Sequence, residues 1–203
     1  MSFAPLISIT SDVVIGLSAM TTAYFAFRGL STWKEQHRGK IEYELARRLL
    51  LSIYIYRDAI RSARHPFMSY APTSKEAAPK KSDKQREFEG YSAEYGRRYD
   101  FVLEARRSLY ADVLESEVLW ADEIRKITDE MLVLDNQLKS TIEYHLTARN
   151  PDSDHNAIEI AKEILKNKQG TLYAKYSEDD IFAQKFDGLV ERAENYLKKK
   201  LKQ

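Results

Sequence analysis

Apolar residues recur three and four positions apart over most of this chain, the period of one face of an α-helix. Ile41, Leu45, Leu49, Ile53, Tyr56 and Ile60 share such a face, and no proline interrupts residues 31–64, so the spacing predicts a helix there. His65-Pro66 ends it. Residues 65–84, HPFMSYAPTSKEAAPKKSDK, hold three prolines and a lysine-rich end and read as a flexible loop. Residues 85–149 then run without proline, and Trp120, Ile124, Ile127, Met131, Leu134 and Leu138 alternate by four and three, the seam of a coiled coil. Tyr91, Tyr95, Tyr99, Val102, Leu109 and Val113 make a more aromatic stripe before it. The pattern predicts one long helix over 85–149, packed antiparallel on the helix of 31–64 across the proline-containing loop. Asn150-Pro151-Asp152 ends that helix, and Asp154 or Asn156 caps the next, over about 156–169, which stops at Gly170. TLYAKYSEDD reads as a linker or a very short strand. Ser177 with Asp180 opens a last helix over 178–202, with Ile181, Phe182, Phe186, Leu189, Val190 and Leu197 on one side.

The N-terminal stretch has a different pattern. Residues 13–27, VVIGLSAMTTAYFAF, carry no charge, and Val13 to Leu30 approaches the ~20 residues that a span needs if Arg28 snorkels to the headgroups. Tyr24, Phe25, Phe27 and Trp33 cluster where an interfacial aromatic belt would lie. A secretory signal would open on basic residues, whereas the first Lys or Arg here is Arg28. Arg28, Lys34, Arg38, Lys40, Arg47 and Arg48 follow the stretch, so the positive-inside rule places the C-terminal domain in the cytoplasm. Ser18, Thr22 and Ala26 form a small-residue stripe on which such helices pack closely. The competing reading is a buried helix of a soluble protein, since runs this short occur in cores. The expected fold is all-α: a membrane anchor over 1–30 and a helical domain over 31–203, consisting of the coiled-coil-like hairpin and two further helices. Gly29 and Gly39 are the expected bend points of the first helix.

Composition adds three points. The 203 residues hold 7 Gly and 5 Pro against 31% charged residues, the balance of helices with charged faces. The absence of cysteine excludes disulfides, thiolate metal sites and a cysteine nucleophile. The net charge of +1 hides a polarity: residues 1–82 hold 12 Lys and Arg against 6 Asp and Glu, and the remainder 20 against 25. The basic tail KKKLKQ suits a helix C-terminus through the macrodipole.

The stretch 33–67 contains Trp33-Lys34-Glu35-Gln36, Gly39-Lys40, Tyr43-Glu44-Leu45-Ala46-Arg47-Arg48-Leu49-Leu50 and Arg57-Asp58-Ala59-Ile60. It resembles a segment of uncharacterised bacterial membrane proteins that have one N-terminal span and a helical cytoplasmic domain. The resemblance covers under a fifth of the chain. It implies membrane anchoring only and brings no reaction or ligand; the expected location is a bacterial inner membrane.

Candidate chemistry is sparse. Arg149-Asn150, separated from His155 by four residues, is similar to the Arg/His motif of the HEPN ribonucleases. There the arginine would hold a scissile phosphate and the histidine would move a proton at the attacking hydroxyl, across a dimer. Pro151 sets this motif in an interhelical loop, unlike that family's helical setting. His37, His65, His145 and His155 are scattered without metal-ligand spacing, so no metal or other cofactor is expected, and Glu143-Tyr144-His145 reads as a solvated helix face. Arg47, Arg48, Arg57, Arg61 and Arg64 crowd one helix and suit anionic lipid, RNA, or the protein's own acidic helix through Glu104, Glu115, Glu117, Asp122 and Glu123. Tyr95 and Tyr99 fit the seam better than a base-stacking platform. These features favour a membrane-anchored interaction or scaffold protein that self-associates or binds another helical protein. An RNA-cleaving or RNA-binding effector and an oligomeric pore are the alternatives.

Overall fold

The computed structural model describes residues 4–74, 76, 80–175 and 179–202, with side chains from Ser18 onward, Ala19 and Ser31 excepted. Among these residues all regular structure is helical: α1 (Ala4–Ala63), α2 (Asp83–Leu119), α3 (Glu123–Arg149), α4 (His155–Lys166), α5 (Gln169–Leu172) and α6 (Ile181–Lys200). The chain divides into two compact units, one up to Glu44 and the other Leu45–Lys202.

In the first unit α1 runs unbroken through Gly29 and Gly39, so neither glycine is the expected bend. The Thr22 hydroxyl donates to the Ser18 carbonyl, Arg28 donates to the Tyr24 hydroxyl, and Arg38 pairs with Glu42 at 2.8 Å. Trp33 and His37 stack with ring centroids 5.4 Å apart. Among the described residues no helix is long and apolar enough to cross a membrane, so the span expected over residues 13–30 finds no support here. The physical reason is local. Ser18, Thr21, Thr22 and Arg28 interrupt the apolar run, which falls short of about 20 apolar residues. Val13, Val14 and Ile15, its most apolar start, lie outside the described side chains.

The second unit is built around residues 45–63 of α1, with α2, α3 and α6. Arg48 pairs with Asp112 and Glu115, while Arg98, further back along α2, reaches the His65 and Phe67 carbonyls beyond the end of α1. Those pairings make α1 and α2 antiparallel. Tyr91 meets His145 and Tyr110 meets Asp129, so α3 returns along α2. Arg192 pairs with Glu130, and the Trp120 and Tyr196 rings meet at 6.4 Å, so α6 is antiparallel to α3. The result is an up-down-up-down arrangement of four helices. Its core holds Leu45, Leu49, Ile53, Tyr56 and Ile60 of α1, the stripe Tyr95, Val102, Leu109 and Val113 of α2, and Phe182, Phe186, Val190 and Leu197 of α6. Ile124, Ile127, Met131, Leu134 and Leu138 of α3 are all buried in the same core.

The helix expected over 85–149 is thus two helices. Trp120 adopts an extended backbone (φ −128°, ψ 175°) between α2 and α3, and the Ser116 hydroxyl donates to the Val113 carbonyl in the last turn of α2. No proline or glycine marks this break. A continuous helix of that length would extend about 97 Å at 1.5 Å per residue. Folding back lets the stripes of α2 and α3 share one core, and Trp120 is clasped by Tyr196 and by the Lys200 ammonium 5.4 Å from its ring.

Residues 65–74 of the expected loop are also more ordered than their composition suggests. Buried Arg98 donates to the His65 and Phe67 carbonyls, and the Thr73 N–H donates to the Arg86 carbonyl. Ala71 lies so close to α2 that a Cβ on Gly90 would stand 2.1 Å from its carbonyl oxygen, which explains a glycine at that helical position. Ser82 and Gln85 form a capping box that starts α2.

Towards the C-terminus, Asp154 caps α4 by accepting from Asn156 and Ala157. Gly170 lies inside α5 and does not terminate α4, whose C-cap is Asn167. No residue described has a positive φ. Ser177, expected to open the last helix at 178, lies outside the described residues. Asp180 does the capping, accepting from the Ala183 N–H, and α6 begins at Ile181.

Candidate functional site

Three polar clusters sit within the helical unit. In the middle of the core, Asp135 is fully buried. It accepts hydrogen bonds from the Tyr56 hydroxyl of α1 at 2.8 Å and the Tyr99 hydroxyl of α2 at 2.6 Å, and it pairs with Arg106 at 3.2 Å. Burial, and then the Asp135 carboxylate, push both tyrosines above their ordinary pKa. They stay protonated and act as donors. This layer joins three helices and is buried apart from the Arg106 side chain, which is 28% exposed, an arrangement that holds register.

The second cluster lies where α1 ends. Arg64 and Asp180 form a buried ion pair at 2.8 Å, with only 2% and 5% of their surfaces exposed. Arg64 also donates to the carbonyls of Gly170, Thr171 and Tyr173, and its guanidinium stands 4.2 Å from the Phe182 ring. Burial raises the Asp180 carboxyl, but the Arg64 guanidinium and the N–H groups of Ala183 and Lys175 outweigh it and hold the pKa below its ordinary value. Among the described residues no buried side-chain polar atom lacks a partner.

The third cluster opens to solvent. Tyr91 and Tyr95 are one turn apart on α2, and both rings face His145 of α3. The Tyr91 hydroxyl shares a hydrogen bond with His145 Nε2 at 2.6 Å, and the Tyr173 hydroxyl lies 3.3 Å from the same nitrogen. Tyr70, brought in by the anchored loop, meets Tyr91 edge-on at 5.2 Å. The Arg149 guanidinium lies 4.6 Å over the Tyr91 ring. Outside this aromatic wall is a surface cavity of about 230 Å³, lined by Tyr70, Phe88 and Tyr91 with Lys84, Glu87 and Arg149. Arg149 and Lys84 form no ion pair among the described residues, while Glu87 accepts from the Tyr70 hydroxyl at 3.4 Å.

The titration of this cluster suits binding better than proton transfer. Burial, and then the charge of Arg149, depress the His145 pKa to about 4, and burial raises that of Tyr91 to about 12. Neither lies near neutrality, where a general acid or base works best. Since the unfolded histidine titrates near its ordinary value of about 6.5, unfolded chains bind a proton between about pH 6.5 and 4 that folded chains do not. Stability is therefore expected to fall as pH drops through that window, by about 1 kcal/mol, well short of the full linkage limit because solvent reaches part of the ring. Urea titrations at pH 7 and pH 5 should show this loss, and His145→Gln should flatten it. An equal slope in the variant would assign the loss to other groups.

The sequence candidates are distributed unevenly. Arg149 lies on Tyr91, whereas His155 is the first residue of α4, exposed and near Glu159. No hydrogen bond, ion pair or ring contact joins the two among the described residues. Asn150 is the C-cap of α3, and its side chain accepts from the Asp152 N–H. The histidine that does accompany Arg149 is His145, which is half-buried rather than part of a solvated face. Of the α1 arginines, Arg48 turns to Asp112 and Glu115, Arg61 to Asp187 and Arg64 to Asp180, while Arg57 pairs with its neighbour Asp58 and Arg47 is exposed. Ser18, Thr22 and Ala26 are exposed. Among the described residues no group of three or more His, Asp or Glu is placed to hold a metal ion. Comparison with known protein families, with curated proteins and with solved structures returns no match.

Proposed function

We propose that this chain is a membrane-tethered helical interaction module, self-associating, held by residues 1–30 at a bacterial inner membrane with its helical domain in the cytoplasm. One observation carries the reading. Met20, Tyr24, Phe25, Phe27, Leu30 and Trp33 are each at least 50% exposed on α1. An apolar set of this density on a water-soluble surface is unfavourable and marks contact with lipid or protein. The uncharged run 13–27 directly before the basic residues from Arg28 onward adds the sequence signature of an inserted helix with an inward-facing C-terminal side. The small-residue stripe Ser18, Thr22 and Ala26 supports close packing between copies. Internal pairing of Arg48, Arg61 and Arg64 favours protein cohesion over headgroup binding for that helix face.

The test is fractionation. The full chain is expected to stay with membranes through carbonate and high-salt washes, and deletion of residues 1–30 should release a soluble, helical protein, because the core begins only at Leu45. A full-length chain that salt alone removes would refute the tether.

A further inference from the structure

We infer that the cavity between the start of α2 and the end of α3 binds a guanosine 5′-monophosphate unit, its phosphate on Arg149 and Lys84 and its base against Phe88 and Tyr70. This site does not depend on the membrane tether.

The lining divides into parts with distinct chemistry. Arg149 and Lys84 are the two cations of the lining, and among the described residues neither is neutralised by a carboxylate. Arg149 is held in advance: its guanidinium rests 4.6 Å over the Tyr91 ring, and that ring is fixed by the hydroxyl bond to His145. A planar guanidinium held this way offers two parallel N–H donors to a phosphate, and Lys84 adds a point charge. Tyr70 and Phe88 are half-buried and supply ring surface for a base. Glu87 is the single carboxylate of the lining. An ionised carboxylate only accepts hydrogen bonds, so it selects a base edge rich in donors. Guanine offers two adjacent donors, the ring N1–H and the exocyclic amine, whereas adenine offers the amine alone.

Size limits the ligand. About 230 Å³ is below the ~300–1,000 Å³ usual for a drug-sized ligand. One ring system therefore enters, and the sugar lies at the mouth, with its 5′-phosphate against Arg149 and Lys84 and any 3′ extension in solvent. The unit could be a free nucleotide or the phosphorylated end of an RNA strand, and the chemistry at the site is the same.

Titration calorimetry on the full-length chain in detergent micelles tests the site with GMP, AMP, guanosine, inorganic phosphate and a short oligoribonucleotide that begins with a 5′-phosphorylated guanosine. GMP is expected to bind saturably, with guanosine and phosphate each weaker by about tenfold or more, the usual loss when a charge-assisted bond is removed. Arg149→Gln should weaken GMP by about tenfold while leaving helicity unchanged, since the side chain is exposed. Glu87→Gln should erase the preference for GMP over AMP and leave the demand for phosphate intact. Tighter binding of the oligoribonucleotide than of GMP assigns the unit to an RNA end, and equal or weaker binding assigns it to the free nucleotide. Absence of saturable GMP binding, guanosine binding as well as GMP, or an Arg149→Gln variant with wild-type affinity would each overturn the proposal.

Discussion

A chain carrying Ile127→Asp together with Leu134→Asp is expected to lose its cooperative thermal transition, as followed by circular dichroism at the helical band. Ile127 and Leu134 are 1% and 8% exposed and point from α3 into the shared core. Removing them from it forgoes about 1.5–3 kcal/mol for each large apolar side chain. Each new carboxylate must also be buried without a partner or drag water into the core, a further cost of several kcal/mol. The total is comparable with the ~5–15 kcal/mol that holds a domain of this size folded. The same two substitutions on Val133 and Ile160, which are 56% and 61% exposed, should be nearly neutral. A double Asp variant that melts like the parent chain would mean that α3 is not the central helix.

Replacing Arg64 by methionine is the second large effect. Methionine approximates the apolar stem of arginine, so the substitution removes the charge and the five donors with little change in volume. Asp180 is left buried without its cation, and the carbonyls of Gly170, Thr171 and Tyr173 lose a shared donor. Breaking a buried pair from one side costs about 3–5 kcal/mol. The loss should appear in urea denaturation as a lower midpoint at an unchanged slope. It should be greater than for Arg61→Met, whose pair with Asp187 is half exposed and worth about 1 kcal/mol or less. Equal losses at the two positions would mean that the buried Arg64–Asp180 pair does not tie the end of α1 to the segment before α6.

Much of the helical content could be read from the residues alone. Alternation by three and four at Ile124, Ile127, Met131, Leu134 and Leu138 is a local property of the chain, and it identified the buried face of α3 without any knowledge of its neighbours. The polar clusters were harder to see. Asp135 falls four residues after Met131 and three before Leu138, so it lies on the apolar face, and an acidic residue there was a legible sign of a buried network. Its partners were not legible, because Tyr56 and Tyr99 are 79 and 36 residues away along the chain. The candidate site shows the same division. Arg149 was singled out for its spacing to His155, but helix geometry puts His145, one turn earlier on α3, beside it. The Arg149–His155 spacing crosses Pro151 and the turn into α4, where distance along the chain no longer tracks distance in space.

By itself, then, the sequence determined the helical class, the apolar faces of the helices, the loop after Ala63 and the charged exterior, since each follows from the local period of polar and apolar residues. Only the tertiary structure decided three further features: the fold-back at Trp120, the order imposed on residues 65–74 by Arg98 and Gly90, and the convergence of Tyr70, Phe88 and Arg149 on one cavity. Residues 119–122 hold no proline or glycine, so nothing local interrupts the helix there. The turn forms because α2 and α3 can bury their stripes in one core only by lying side by side, and that gain belongs to the packed helices rather than to any short segment of the chain.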